Sequence, residues 1–133
     1  MSQENVEIVR ALFEAWERGG LDAAAEFLDP RIDWRAAEDA PDDAGPISGV
    51  DAMRAYAHDW LDDFDELSFE PEELIDAGEQ VVAVQRISGR AKASGIETEL
   101  RYAVVYTVRD GKIVRGREYW ERAQPLEAVG LRE

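Results

Sequence analysis

Apolar residues recur at helical spacing through the first half of the chain and at strand spacing through the second. Val6, Val9, Phe13 and Trp16, flanked by Ile8, Leu12 and Ala15, mark one broad face, which predicts a helix over residues 3–18 with Ser2 as its cap. Gly19 and Gly20 end it, and residues 21–28 read as a short second helix closed by Asp29-Pro30. Residues 32–35 suit a short strand. Residues 36–49, with two prolines, two glycines and four acids, are predicted to be a surface loop. A third helix is predicted over residues 50–64, with Met53, Tyr56, Ala57, Trp60, Leu61 and Phe64 as its apolar stripe.

After Phe64 the period changes to two. Leu67 and Phe69 alternate with polar neighbours, and Pro71 suggests an edge or a bulge. Strands are predicted over residues 81–87, 97–108 and 112–120, with turns at Ala77-Gly78, at residues 92–95 and at Asp110-Gly111. Residues 122–129 suit a short terminal helix. Helices followed by consecutive strands imply an α+β fold in which N-terminal helices cover one face of an antiparallel sheet. The length of 133 residues fits one domain, 1–133.

Composition narrows the chemistry. With 45% hydrophobic and 34% charged residues, the chain should fold as a soluble globule. It has no cysteine and one histidine, His58, which excludes disulfides, a cysteine nucleophile and His-His metal motifs. His58 falls on the polar side of the third helix, and the acids Asp59, Asp62, Asp63, Asp65 and Glu66 lack the spacing and glycine of a calcium loop. No metal and no cofactor are expected. No apolar run is long enough to span a membrane, and the first residues do not resemble a signal peptide, so a cytoplasmic protein is expected. The net charge of −15 is uneven: residues 1–85 hold 23 acids and 5 bases, residues 86–133 hold 7 acids and 10 bases. Such a surface repels phosphate backbones and anionic membranes, so neither nucleic acid nor membrane is an expected partner.

Three segments carry a family resemblance: NVEIVRALFEAWERGGLDAAAEFLDPRIDWR, GVDAMRAYAHDW and RYAVVYTVRDGKIVRGREYWERAQPLEAVGL. The chain resembles the SnoaL-like branch of the nuclear transport factor 2-like superfamily, which includes polyketide cyclases, ketosteroid isomerase and limonene epoxide hydrolase. The resemblance implies a strongly curved antiparallel sheet, a cone-shaped half-barrel covered by about three N-terminal helices, and commonly a homodimer through the sheet. It is specific for fold and weak for activity. In the cyclases an acid in the last strand does acid/base work, and Glu118 stands at about that position, without the histidine that often accompanies it. The place of the isomerase base is taken here by Trp34, between Asp33 and Arg35, and an indole is no base. The hydrolase uses an Asp-Arg-Asp set; Glu99, Arg101 and Glu118 match its chemical types with the order on the first strand reversed.

Strand parity selects candidates for a pocket. Pairing Arg109 with Lys112 across the Asp110-Gly111 turn puts Arg101, Ala103, Val105, Val114, Gly116, Glu118 and Trp120 on one face, and a second register adds Val82, Val84 and Arg86. This face, with small residues and a few charges, is taken as the pocket side. Leu100, Tyr102, Val104, Tyr106, Ile113, Arg115, Arg117 and Tyr119 form the other face, whose aromatics motivate a homodimer. On this reading Glu118 and Arg101 are the catalytic candidates, with the carboxylate as base and Arg101 and Arg86 as electrostatic stabilisers. Trp16, Trp34, Tyr56, Trp60, Arg86 and Trp120 are candidate substrate-binding residues, favouring a flat, apolar small-molecule ligand. Three functions remain open: a cofactor-independent cyclase, isomerase or hydrolase acting on an apolar carbonyl compound or epoxide; a non-catalytic binding module for such a ligand; and a dimeric scaffold with a filled chamber.

Overall fold

A computed structural model describes residues 2–36 and 46–130. Helix α1 spans Ser2–Ala25 and breaks at Gly20, whose φ of 66° and ψ of −150° lie outside helical geometry. Positive φ carries no steric penalty for glycine, so the first helix stops there as expected, and the expected second helix follows but ends at Ala25 because β1 already begins at Leu28. Strand β1 (Leu28–Arg35) follows, then β2 (Pro46–Ser48), a three-residue strand inside the segment expected to be all loop. Most of that expected loop, and the side chains of Ser2, Pro46 and Trp60, lie outside the described residues. Helix α2 (Val50–Asp63) leads into β3 (Phe64–Ala77), β4 (Gln80–Ala91), β5 (Glu97–Arg109) and β6 (Lys112–Tyr119), and α3 (Ala123–Ala128) ends the described chain.

The strands form one curved, unclosed six-stranded sheet in the order β2-β1-β6-β5-β4-β3. All pairings are antiparallel except β1 with β6, which is parallel. Register shifts interrupt the ladders at Asp65/Ser68 and Pro71/Glu73 in β3, at Leu28/Asp33 in β1 and at Thr107/Val108 opposite β6. Such bulges bend a strand and raise its twist, which suits a sheet that must wrap around its contents.

The main core lies on the concave face. Val6, Val9 and Phe13 of α1 pack there with Ile32, Val81, Ala83, Val104, Val108 and Ile113. Each fully buried Val or Ile among them contributes about 1.5–3 kcal/mol relative to exposure. A smaller cluster, Val82, Val105 and Leu126, lies on the convex face, where α3 is tied down by Arg122 donating to Glu73 at 2.8 and 3.0 Å.

The bulge between β5 and β6 overturns half of the expected face. Arg109↔Lys112 and Val108↔Ile113 pair as the turn requires, but the next rung is Thr107↔Arg115, so Val114 is an extra residue. Glu118 therefore pairs with Val104 rather than with Ala103. On β6 Gly116, Glu118 and Trp120 are inward, as expected, and so is Ile113 before the bulge, which was expected outside; on β5 the inward residues are Leu100, Tyr102, Val104 and Tyr106, the face assigned to the outside.

Candidate functional site

Helices α1 and α2 leave a cavity of about 520 Å³ between themselves and the concave face of the sheet. Its walls are mainly apolar. Trp16 meets Phe69 edge-on with ring centres 4.8 Å apart, Phe13 meets Tyr106 at 6.4 Å, and Trp34 leans on Tyr106 at 5.8 Å. Leu12, Leu21 and Met53 close the helical side, and Leu28, Ile87 and Leu100 the sheet side. Arg54, Asp59 and Asp63 of α2 bring the charges other than Glu118, and Arg54 is paired with Asp22 at 2.5 Å.

Besides these α2 charges, two hydrogen-bonded groups of polar atoms interrupt the apolar wall. The first is centred on Glu118. The indole Nε1 of Trp34 donates to Oε2 at 2.8 Å, and the Tyr56 hydroxyl donates to Oε2 at 3.0 Å and to Oε1 at 3.3 Å. Neutral donors thus hold the carboxylate from β1 and α2, where two arginines had been expected. Trp34 can reach it because Gly116, between the two, has no side chain: a Cβ there would lie 2.0 Å from Cζ3 of the indole.

The second is a relay across β4 and β5. The Tyr106 hydroxyl donates to Oε1 of Gln85 at 3.1 Å, and Nε2 of Gln85 donates to the Tyr102 hydroxyl at 2.8 Å. Gln85 and Tyr106 are 2% and 3% exposed, so the amide and phenol satisfy each other where water would otherwise be needed. Burial pushes the Tyr102 phenol well above its ordinary value, and the Glu118 charge raises it further; Tyr106 is raised by the same two causes in the same order. The Gln85 hydrogen bond opposes the rise in both without reversing it.

These shifts predict alkaline instability. The folded state keeps both phenol protons above the ordinary value of 10.0, while the unfolded chain releases them, so stability is intact below about pH 10 and falls as pH rises beyond it. In a titration followed at the tyrosinate absorption band, Tyr102 and Tyr106 should ionise only as secondary structure is lost. Four tyrosines ionising reversibly near pH 10 in a folded chain would contradict this burial.

Of the residues selected from sequence, Trp16, Trp34, Tyr56, Glu118 and Trp120 line the cavity. Arg101 and Arg86 do not. They pair with each other's strands on the convex face, where Arg101 meets Glu72 at 3.0 Å and Arg86 binds Glu70 and lies 3.8 Å from Glu99. The expected triad of Arg86, Arg101 and Glu118 is therefore corrected to Trp34, Tyr56 and Glu118, because the Val114 bulge turns β6 over relative to β5. The aromatic face that motivated a homodimer is likewise turned inward, since Tyr102 is 9% exposed in a single chain. Tyr119 alone stays on the convex side, against the Val82 and Leu126 cluster and under the Arg117 guanidinium at 5.3 Å. Gln85, Tyr102 and Tyr106 were not selected from sequence. The signal for Gln85 was a polar residue at the parity of Val81, Ala83 and Ile87.

Among the described residues no group of three or more His, Cys, Asp and Glu is placed to hold a metal ion. No described helix is long and apolar enough to cross a membrane.

Comparison with known proteins agrees with this architecture. The family model for a SnoaL-like domain matches residues 9–116. No curated protein matches the chain. An NTF2-like protein from Burkholderia xenovorans LB400 is 30% identical, with 98% of each chain covered and a TM-score of 0.72. TerC, co-crystallised with polyporic acid, is 18% identical, with 95% of this chain and 98% of that chain covered and a TM-score of 0.76. A protein with a ketosteroid isomerase-like fold from Catenulispora acidiphila, in complex with trimethylamine, is 17% identical, with 95% and 94% covered and a TM-score of 0.72. At these identities the last two speak for the fold alone.

Proposed function

The chain belongs to the SnoaL-like domain family, and from that premise we propose that it binds a small apolar carbonyl compound and uses Glu118 for acid/base chemistry on it. The observation that carries the reading is a carboxylate oriented by Trp34 and Tyr56 inside a mainly apolar cavity of about 520 Å³. That volume falls in the range of small-molecule sites, where a few placed polar groups orient a mostly apolar ligand. Two neighbours of the same fold, one co-crystallised with polyporic acid and one in complex with trimethylamine, are in keeping with small-molecule binding.

The chemistry follows from the groups present. A carboxylate aimed at an activated C–H can take its proton as the C–H bond breaks and the electron pair moves onto the carbonyl oxygen. Returning the proton to the same carbon gives exchange; returning it elsewhere gives isomerisation or prepares a ring closure. Neither a redox partner nor a covalent intermediate is required. The convex-face arginines have no part in this scheme and Arg54, which lines the cavity, is paired with Asp22, which leaves charge on the oxygen to neutral donors.

The test uses 2-tetralone, a neutral bicyclic ketone with acidic α-hydrogens. Incubated in deuterium oxide with the protein, it should exchange those hydrogens faster than in buffer containing the same concentration of acetate, read by proton NMR. Ketone that binds, as shown by quenching of tryptophan fluorescence, yet exchanges no faster than in acetate would overturn the acid/base role. The binding-module reading would then stand in its place.

A further inference from the structure

We infer that the Tyr102 hydroxyl is a dedicated hydrogen-bond donor to the ligand, and that it selects a neutral molecule bearing an oxygen acceptor. This deepens the reading of the cavity as a small-molecule site and rests on it. The inference comes from counting protons along the relay. Gln85 offers one carbonyl oxygen and one NH2 group to two phenols. Tyr106 spends its proton on Oε1, and Nε2 spends one of its own on the Tyr102 oxygen. Tyr102 is thus held as an acceptor by Gln85, and its own proton must be directed elsewhere. Among the described residues none accepts it. Turning the amide over would only exchange the roles of the two tyrosines, because one amide oxygen cannot take a proton from each phenol in this linear chain. One tyrosyl O–H is left over in either case.

Tyr102 lines the cavity and is nine-tenths buried. A buried donor with no partner is costly, which makes it a strong attractor for an acceptor that enters. Its raised ionisation keeps the proton in place across the neutral range. The donation it receives from Gln85 polarises the O–H and strengthens it as a donor. Glu118 at the same cavity supplies the complementary acceptor. Charge sets the remaining preference. Glu118, Asp59 and Asp63 line the cavity against Arg54, itself tied to Asp22. An anionic ligand is disfavoured, and a neutral ketone, quinone or phenol fits.

The experiment compares 2-tetralone with tetralin, the same carbon skeleton without oxygen. Affinities are read by tryptophan quenching for the wild-type chain and for Tyr102→Phe, with circular dichroism confirming that the variant is folded. Loss of one hydrogen bond should weaken 2-tetralone by about 3- to 10-fold and leave tetralin within about 2-fold. The wild-type complex supplies a second measurement that needs no variant: the infrared C=O stretch of bound 2-tetralone should lie below its position in hexane. A stretch at the hexane position, or an equal loss of affinity for both probes, overturns the assignment of Tyr102. Binding of neither probe to the wild-type chain overturns the cavity reading itself, and the donor role with it. A lowered stretch without hydrogen exchange supports the donor and sinks only the acid/base role of Glu118.

Discussion

Glu118→Gln is expected to lower exchange of 2-tetralone by about 10²–10⁴-fold, the usual cost of losing a general base. The substitution keeps the shape of the side chain and one acceptor oxygen. It cannot keep both donations that Oε2 now receives together with the contact to Oε1, so either Trp34 or Tyr56 will face the new NH2 group. Binding of the probe should change much less than turnover, because the apolar wall remains. A second readout needs no activity. The Glu118 charge helps to hold the Tyr102 and Tyr106 protons on, so its removal should ease their ionisation, while burial keeps both above the ordinary range. Exchange that stays within a factor of a few of wild type would remove Glu118 from the chemistry.

Gly116→Ala is expected to destabilise the fold by about 1–3 kcal/mol, the range for overpacking a close-packed interior. A 2.0 Å approach to the six-membered ring of Trp34 cannot be accommodated without moving the indole, and the added methyl also meets Cε3 at 2.1 Å. Trp34 is 7% exposed and its Nε1 is committed to Glu118, so it has little room to retreat. The melting temperature should fall by roughly 4–12 °C for a domain of this size. The sign should reverse in a Trp34→Ala background. There the methyl has space, and alanine loses less backbone freedom on folding than glycine does in a strand. A double-mutant cycle by thermal melting therefore isolates the contact. If the two substitutions simply add, the indole is not packed on Gly116.

The contrast between these two sites shows what a sequence reveals at each level. Helical spacing in residues 3–18, the Gly19-Gly20 stop, the Asp110-Gly111 turn and the alternation in the last strands are local signals, and each corresponds to an observed element. Glu118 and Trp34 were marked by their places in a family pattern, and both line the cavity. What local signals could not supply was the relation between β5 and β6. A tight turn sets the first rungs of a hairpin, Arg109↔Lys112 and Val108↔Ile113, and nothing beyond them. The extra residue, Val114, is a β-branched residue with ordinary strand preference, and no glycine or proline announces it. One unannounced residue reverses parity, which moved Arg101 and Arg86 outward and Tyr102 and Tyr106 inward. Gly116 was equally ambiguous. Its small size suggested space for a ligand, whereas the space is filled by Trp34.

The parallel pairing of β1 with β6 joins the first strand to the last, and Trp34 meets Glu118 across 84 positions of sequence. During synthesis, the helices and the β3–β4 hairpin can form while the carboxylate has yet to be made. The cavity wall is then completed only when the last strand docks beside a partner that has waited since early in translation. High sequence separation of this kind slows folding, because loop-closure entropy is lost before the contact forms. A nascent chain truncated before β6 lacks both the strand that joins β1 to β5 and the carboxylate that Trp34 and Tyr56 hold.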